Sequence, residues 1–330
     1  MGGMARRCLV AAALVVLILE SGRTQAQDGA PQPLGRLVDV GGYRVHLYCV
    51  GSGSPTVVIT GAGYSFDWSL VQPEVAKFTR VCAYDHSGIA WSDPGPADSC
   101  SLRIGEIHAA LRTAEIKGPY VLVGHSLGAL VSRLYASKRP DEVAGMVIVD
   151  HATAGLIPAG GASPRPGLYV LRERSGAPPA APDPLSPGAK GAPPRLPPAT
   201  SPDRNAGFEK LPERDYRLHV WANSLPGLPE VMKKNAETAT ACAAEVAAAT
   251  QNQTSPLRDK PFIAVSAPGS SPLHTRLLDL SFNSKQVVAA NSDHYVMVDR
   301  PDVVIDAIRE VVEAAQNHTS LKAYDARAPN

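Results

Sequence analysis

Aromatic residues are scarce in this 330-residue chain, at 5% of the total, so a wide surface for polycyclic ligands is not indicated. Net charge is nearly absent: 32 Lys and Arg against 31 Asp and Glu leave +1, with a pI near 7.7. The charges are evenly mixed with no basic run, which removes the electrostatic case for a nucleic-acid or acidic partner. There is no Cys-x-x-Cys and no His/Cys cluster, so no metal site is expected, and no cofactor either.

What is there begins with a leader-like N terminus. Arg6 and Arg7 precede an unbroken apolar run from Cys8 to Leu19, and Thr24 and Ala26 place small residues at a cleavage position. This reads as a secretory signal over residues 1–26, its apolar core too short for a spanning helix. The mature chain is expected to be secreted or periplasmic, without a stable membrane span. Losing Cys8 leaves Cys49, Cys82, Cys100 and Cys242, an even number in an oxidising compartment. Three pairings are possible from sequence. Cys49 and Cys82 lie in apolar strand-like runs and read as buried free thiols. Cys100 in a Pro/Asp/Ser loop and Cys242 in an Ala-rich helix form the suspected disulfide.

The chain is organised around Tyr120-Val121-Leu122-Val123-Gly124-His125-Ser126-Leu127-Gly128. Four apolar, β-prone residues read as a buried strand. Ala129, Leu130, Val131, Leu134 and Tyr135 then fall at helical spacing. Strand, Gly-x-Ser-x-Gly and helix in that order describe a nucleophile elbow, a tight turn that presents a serine hydroxyl at the top of a sheet. Free N–H groups of the helix start face the place where an oxyanion would develop. A serine hydroxyl needs a base within reach, which makes Ser126 a candidate nucleophile and Leu127 a candidate N–H donor.

Before the elbow, residues 37–40 and 44–50 alternate around Gly41-Gly42, a hairpin signal. Apolar runs at 55–60 and 80–84 read as strands, with a helix between them through Trp68, Val71, Val75 and Phe78 and another at 102–116. After it, strands are expected at 145–150, 261–266 and 285–290, and a last helix at 301–315. Alternating strands and helices imply a mostly parallel, doubly wound α/β sheet, with the opening hairpin antiparallel at one edge. Residues 156–206 are dense in Pro, Gly, Ala and Ser and read as a long irregular insertion. Residues 216–249 turn helical. The domain reading is a core of 27–155 and 256–316, an inserted segment with a helical cap or lid over 156–255, and a tail at 317–330.

With these motifs in place, the chain resembles the α/β-hydrolase fold superfamily over most of 36–316. His294, in a loop after the last strand and before the final helix, is where reacting groups gather in such sheets. Asn291-Ser292-Asp293-His294-Tyr295 also resembles the usual setting of the superfamily's base. The acid's commonest position falls in Ala267-Pro268-Gly269-Ser270-Ser271-Pro272, which holds no carboxylate. The resemblance therefore points to Asp150, at the end of the preceding strand, with Asp279 as the rival on an expected helix. Thr60-Gly61-Ala62-Gly63 resembles the superfamily's His-Gly-x turn with Thr for His, which implies Ala62 as the second oxyanion donor. The function so implied is a secreted serine hydrolase acting on a small ester-like substrate. The alternative is the same fold kept as a catalytically inactive binding module, which the missing acid at the usual place favours.

Overall fold

The computed structural model describes residues 30–61, 63–151, 169–172 (backbone only), 205–251, 253, 255–268 and 274–322. The chain divides after Gln32. Of the first unit only residues 30–32 are described, none in regular structure. The second, Pro33–Asn330, holds every strand and helix described. The leader reading of 1–26 lies outside the described residues, as do Ala62 and most of 156–206.

Nine strands form one sheet: β1 (Arg36–Asp39), β2 (Arg44–Val50), β3 (Thr56–Thr60), β4 (Val81–Asp85), β5 (Tyr120–His125), β6 (Val143–Val149), β7 (Tyr169–Arg172), β8 (Phe262–Ser266) and β9 (Ser284–Ala289). Their order is β1-β2-β4-β3-β5-β6-β8-β9-β7. The β1–β2 and β2–β4 pairs are antiparallel and every other pair is parallel. The hairpin turns at Gly41-Gly42, where both residues have positive φ and Val40 N–H bonds to the Tyr43 carbonyl at 2.9 Å.

β3, β4, β5 and β8 are buried at every position. A strand covered on both faces has no polar side, which is why these runs are apolar apart from polar residues at their ends, among them Thr60, Asp85, His125 and Ser266. Side-chain alternation then divides the core. Val58, Leu122, Met146, Ile148 and Ala264 meet one helical layer, and Val57, Ile59, Val121, Val123, Val147, Val149 and Ile263 meet the other. The first layer contains α2 (Cys100–Thr113) and α3 (Leu127–Lys138). The second contains the short α1 (Gln72–Val75) and, near the C terminus, α6 (Val296–Asp299) and α7 (Pro301–Asn317). α7 starts on a proline at its first turn, where the missing N–H is not needed.

Between β6 and β8 the chain forms α4 (Glu213–Asn223) and α5 (Leu228–Thr250), so the expected helical stretch is two helices broken at Ser224–Gly227. α5 belongs to the core layer as well as to the insertion: Cys242, Ala243 and Val246 are buried in the same cluster as Ile107 and Leu134. β7 is a second difference, since it lies in a stretch read as irregular. Four residues suffice there because they add to the edge of an already formed β9, from Tyr169 opposite Gln286 to Arg172 opposite Ala289.

Both cysteine pairs are disulfides. Cys100–Cys242 joins α2 to α5, as suspected. Cys49–Cys82 is the other, and it corrects the free-thiol reading. Those two residues face each other in the antiparallel β2–β4 register with Cα atoms 4.0 Å apart, a juxtaposition that two separate apolar runs do not reveal. Cys100–Cys242 spans 142 residues of sequence. Replacing both of its cysteines by serine is expected to lower unfolding free energy by about 2–4 kcal/mol, read from denaturant midpoints in the absence of reductant. An unchanged midpoint would show that helix packing alone holds α5.

Candidate active site

Ser126 stands between β5 and α3 with φ 53° and ψ −120°, a conformation that L residues adopt only under constraint. The constraint is visible. Ser126 N–H bonds to the Val149 carbonyl at 3.3 Å, and its own carbonyl accepts from Ala129 N–H at 3.1 Å. Gly128 has to be glycine, because a Cβ there would lie 1.8 Å from the Thr60 carbonyl oxygen. Thr60 ends β3 and binds the helix start, with Oγ1 donating to the Gly128 carbonyl at 3.0 Å and sitting 2.7 Å from Ser132 Oγ. The elbow, the β3 turn and α3 are thus one packed unit.

His294 lies in the loop between β9 and α6, and its Nδ1 is 2.7 Å from Asp150 Oδ2 across 144 residues of sequence. Asp150 follows β6 directly, with φ 37° and a side chain 5% exposed. Its Oδ1 accepts from Ala267 N–H at 2.9 Å, and its own N–H donates to the Val265 carbonyl at 2.8 Å. A carboxylate held by two N–H donors on its two oxygens is fixed in plane. It therefore fixes the imidazole tautomer, with Nδ1–H toward Asp150 and the Nε2 lone pair outward. The His294 side chain is 33% exposed. Among the described residues no hydrogen bond joins it to Ser126 Oγ, a bond that is often loose without substrate.

Asp279 is exposed on a short 3₁₀ turn, Thr275–Leu280, and makes no bond to His294. Asp293 is exposed too, its N–H bonded to Asp299 Oδ2 at 2.9 Å. Leu127 begins α3, so its N–H is one of the unpaired donors of the first turn. The structure thus brings His294 to Asp150 and places Ser126 and Leu127 on the adjoining elbow.

The profile of the Alpha/beta hydrolase family matches residues 51–307. This chain belongs to that family. It is 33% identical over 159 residues to an uncharacterized protein of Schizosaccharomyces pombe, covering 38% of this chain and 30% of that protein. It is 32% identical over 134 residues to 2-hydroxymuconate semialdehyde hydrolase of Pseudomonas sp. strain CF600, covering 38% and 46%. The chain therefore spans less than half the length of these relatives. In fold it is similar to potato (Solanum tuberosum) epoxide hydrolase I, with a TM-score of 0.59 at 18% identity over 84% of this chain and 98% of that one.

Several further residues of this α/β hydrolase support the site. His125 is fully buried, and its Nε2–H donates to the His294 carbonyl at 2.9 Å, holding the His294 loop onto the elbow. His219 is buried with Nδ1 2.7 Å from Asp67 Oδ1, while Asp67 Oδ2 accepts from Tyr64 N–H at 2.9 Å. That pair ties α4 to the turn after β3. Phe208 stacks on His219 at 3.9 Å and meets Tyr295 edge-on at 4.6 Å. Asp85, the last residue of β4, pairs with His46 Nδ1 at 2.7 Å and accepts from Ser65 N–H at 2.7 Å. Apart from the local Tyr64–Asp67 bond, these links join residues well separated in sequence.

Burial, reinforced by Arg103, pushes His86 down to about 3, and burial with Arg133 pushes His151 down to about 4. Both lie below the ordinary value near 6.5, so the unfolded chain takes up these protons first. The stability they represent is complete above pH 6.5 and is lost as pH falls through the folded values. At 1.4 kcal/mol per unit the loss by pH 4 is about 3 kcal/mol for each histidine. Urea midpoints between pH 7 and pH 4 should therefore fall less steeply in His86→Gln than in wild type. Parallel profiles would remove His86 as a source of the acid sensitivity.

Proposed function

We propose that this hydrolase is a secreted or periplasmic serine hydrolase that transfers an acyl group to water, with a carboxylic ester as the default substrate. The observation that carries this reading is the 2.7 Å His294–Asp150 pair beside a serine on a strained strand-to-helix turn. Ser126 Oγ attacks the carbonyl carbon while His294 Nε2 takes its proton, and Asp150 stabilises the imidazolium. The Leu127 N–H receives the oxyanion, with Ala62 as the proposed second donor. His294 returns the proton to the leaving alcohol. Water, deprotonated by His294, then attacks the acyl-enzyme and releases the acid and Ser126.

Ser126 speaks against the aspartate-nucleophile chemistry of other members of the fold, since a serine ester and an aspartyl ester form from different electrophiles. The two disulfides support the oxidising compartment that the leader implies. No helix among the described residues is long and apolar enough to cross a membrane.

The test is fluorophosphonate labelling of the mature chain, with a p-nitrophenyl ester series of increasing acyl length beside it. Covalent labelling with turnover of at least one ester is expected, and the preferred length sizes the acyl pocket. A folded protein that neither labels nor turns over any ester would be the binding module instead.

A further inference from the structure

Arg133 is a buried charged residue of α3, next to Ser132 and seven residues after Ser126. It lies less than two helical turns after Leu127, where α3 starts. Helical side chains lean toward the helix N terminus, which directs the Arg133 side chain toward the elbow end of α3. There it is enclosed. Arg133 is 9% exposed, and its Nε and Nη1 are shut off from water with no hydrogen-bond partner.

Arg133 acts on His151, which is 3% exposed and whose Nδ1 lies 3.4 Å from the Ser126 carbonyl oxygen. His151 N–H donates to His274 Nε2 at 2.6 Å, and His274 is 1% exposed. No carboxylate among the described residues pairs with Arg133. The other enclosed arginine of this region, Arg103, has Asp98 at 2.6 Å and Asn235 at 2.5 Å. Arginine is almost never buried without a partner, and an enclosed guanidinium is the preferred receptor for a planar anion.

We propose that Arg133 is a carboxylate-recognition residue, and that the substrate of this hydrolase carries a free carboxylate which Arg133 holds beside Ser126. A single enclosed cation balances one negative charge, so a monoanionic carboxylate fits where a dianionic phosphate would leave charge uncompensated. The inference rests on the serine-hydrolase reading for the word substrate, but the anion site itself does not.

Two arms test it. In the first, kcat/KM is measured for mono-4-nitrophenyl glutarate against 4-nitrophenyl valerate, and for 3-carboxyphenyl butyrate against phenyl butyrate. Together they place the charge on the acyl and on the alcohol side. At least one carboxylated ester is expected to be favoured tenfold or more in wild type, with that ratio falling at least tenfold in Arg133→Met. In the second, glutarate is added to Ser126→Ala. It should raise the melting temperature by a few degrees, and the rise should vanish when Arg133→Met is combined with it.

Ratios near one in wild type together with no glutarate stabilisation overturn the proposal, whether or not the Met variant folds. Arg133→Met slowing both esters in proportion also overturns it, because that is what a purely structural arginine does. A glutarate shift that depends on Arg133, in a wild type that neither labels nor turns over esters, keeps the anion site and sinks the hydrolase reading.

Discussion

Ser126→Ala is expected to lower ester turnover by about 10⁵- to 10⁶-fold and to abolish fluorophosphonate labelling, while the protein stays folded. The magnitude follows from the way nucleophile, base and acid act as a unit, so that losing the nucleophile removes the whole covalent route. What remains is stabilisation by the backbone donors of the elbow and binding alone. The measurement is kcat on the best p-nitrophenyl ester, with circular dichroism to show that the fold is retained. A residual rate within a hundredfold of wild type would place the nucleophile elsewhere.

Asp150→Asn is expected to lower kcat by about 10³- to 10⁴-fold, and the structure says why a nearly isosteric change does so much. One Asp150 oxygen accepts from Ala267 N–H and the other faces His294 Nδ1. An asparagine that keeps its carbonyl toward Ala267 turns its NH₂ toward the imidazole. Nδ1 must then accept, the ring proton moves to Nε2, and His294 has no lone pair left for Ser126. Asp279→Asn, on an exposed turn, should change kcat by less than about twofold, within the scatter of a surface substitution. Full activity in Asp150→Asn with a loss in Asp279→Asn would reverse the assignment of the acid.

The sheet was legible because strands covered on both faces have apolar centres, and 57–59, 81–84, 120–123, 145–149 and 261–265 carry that mark. Ser126 was legible from its glycines, one of which meets the Thr60 carbonyl so closely that no side chain fits. His294 was reached through its place after the last strand. β7 was not legible, since Tyr169-Val170-Leu171-Arg172, in a Pro/Gly-rich stretch, gains a strand's stability only from a neighbour that forms elsewhere in the chain. The Cys49–Cys82 bond stayed hidden for a related reason, as it depends on the β2–β4 register. Asp67 with His219, and Arg133, carry no local signature. Each is significant only through what tertiary packing sets beside it.

The link between Cys100 and Cys242 has a consequence for the covalent integrity of the molecule. A single proteolytic nick at any peptide bond between these two cysteines yields two polypeptides that remain one molecule until reduced. For a nick between residues 151 and 242, Ser126 and Asp150 remain on the first polypeptide and His294 on the second. A clipped preparation would therefore migrate as one band without reductant and as two with it, its reacting groups contributed by separate chains.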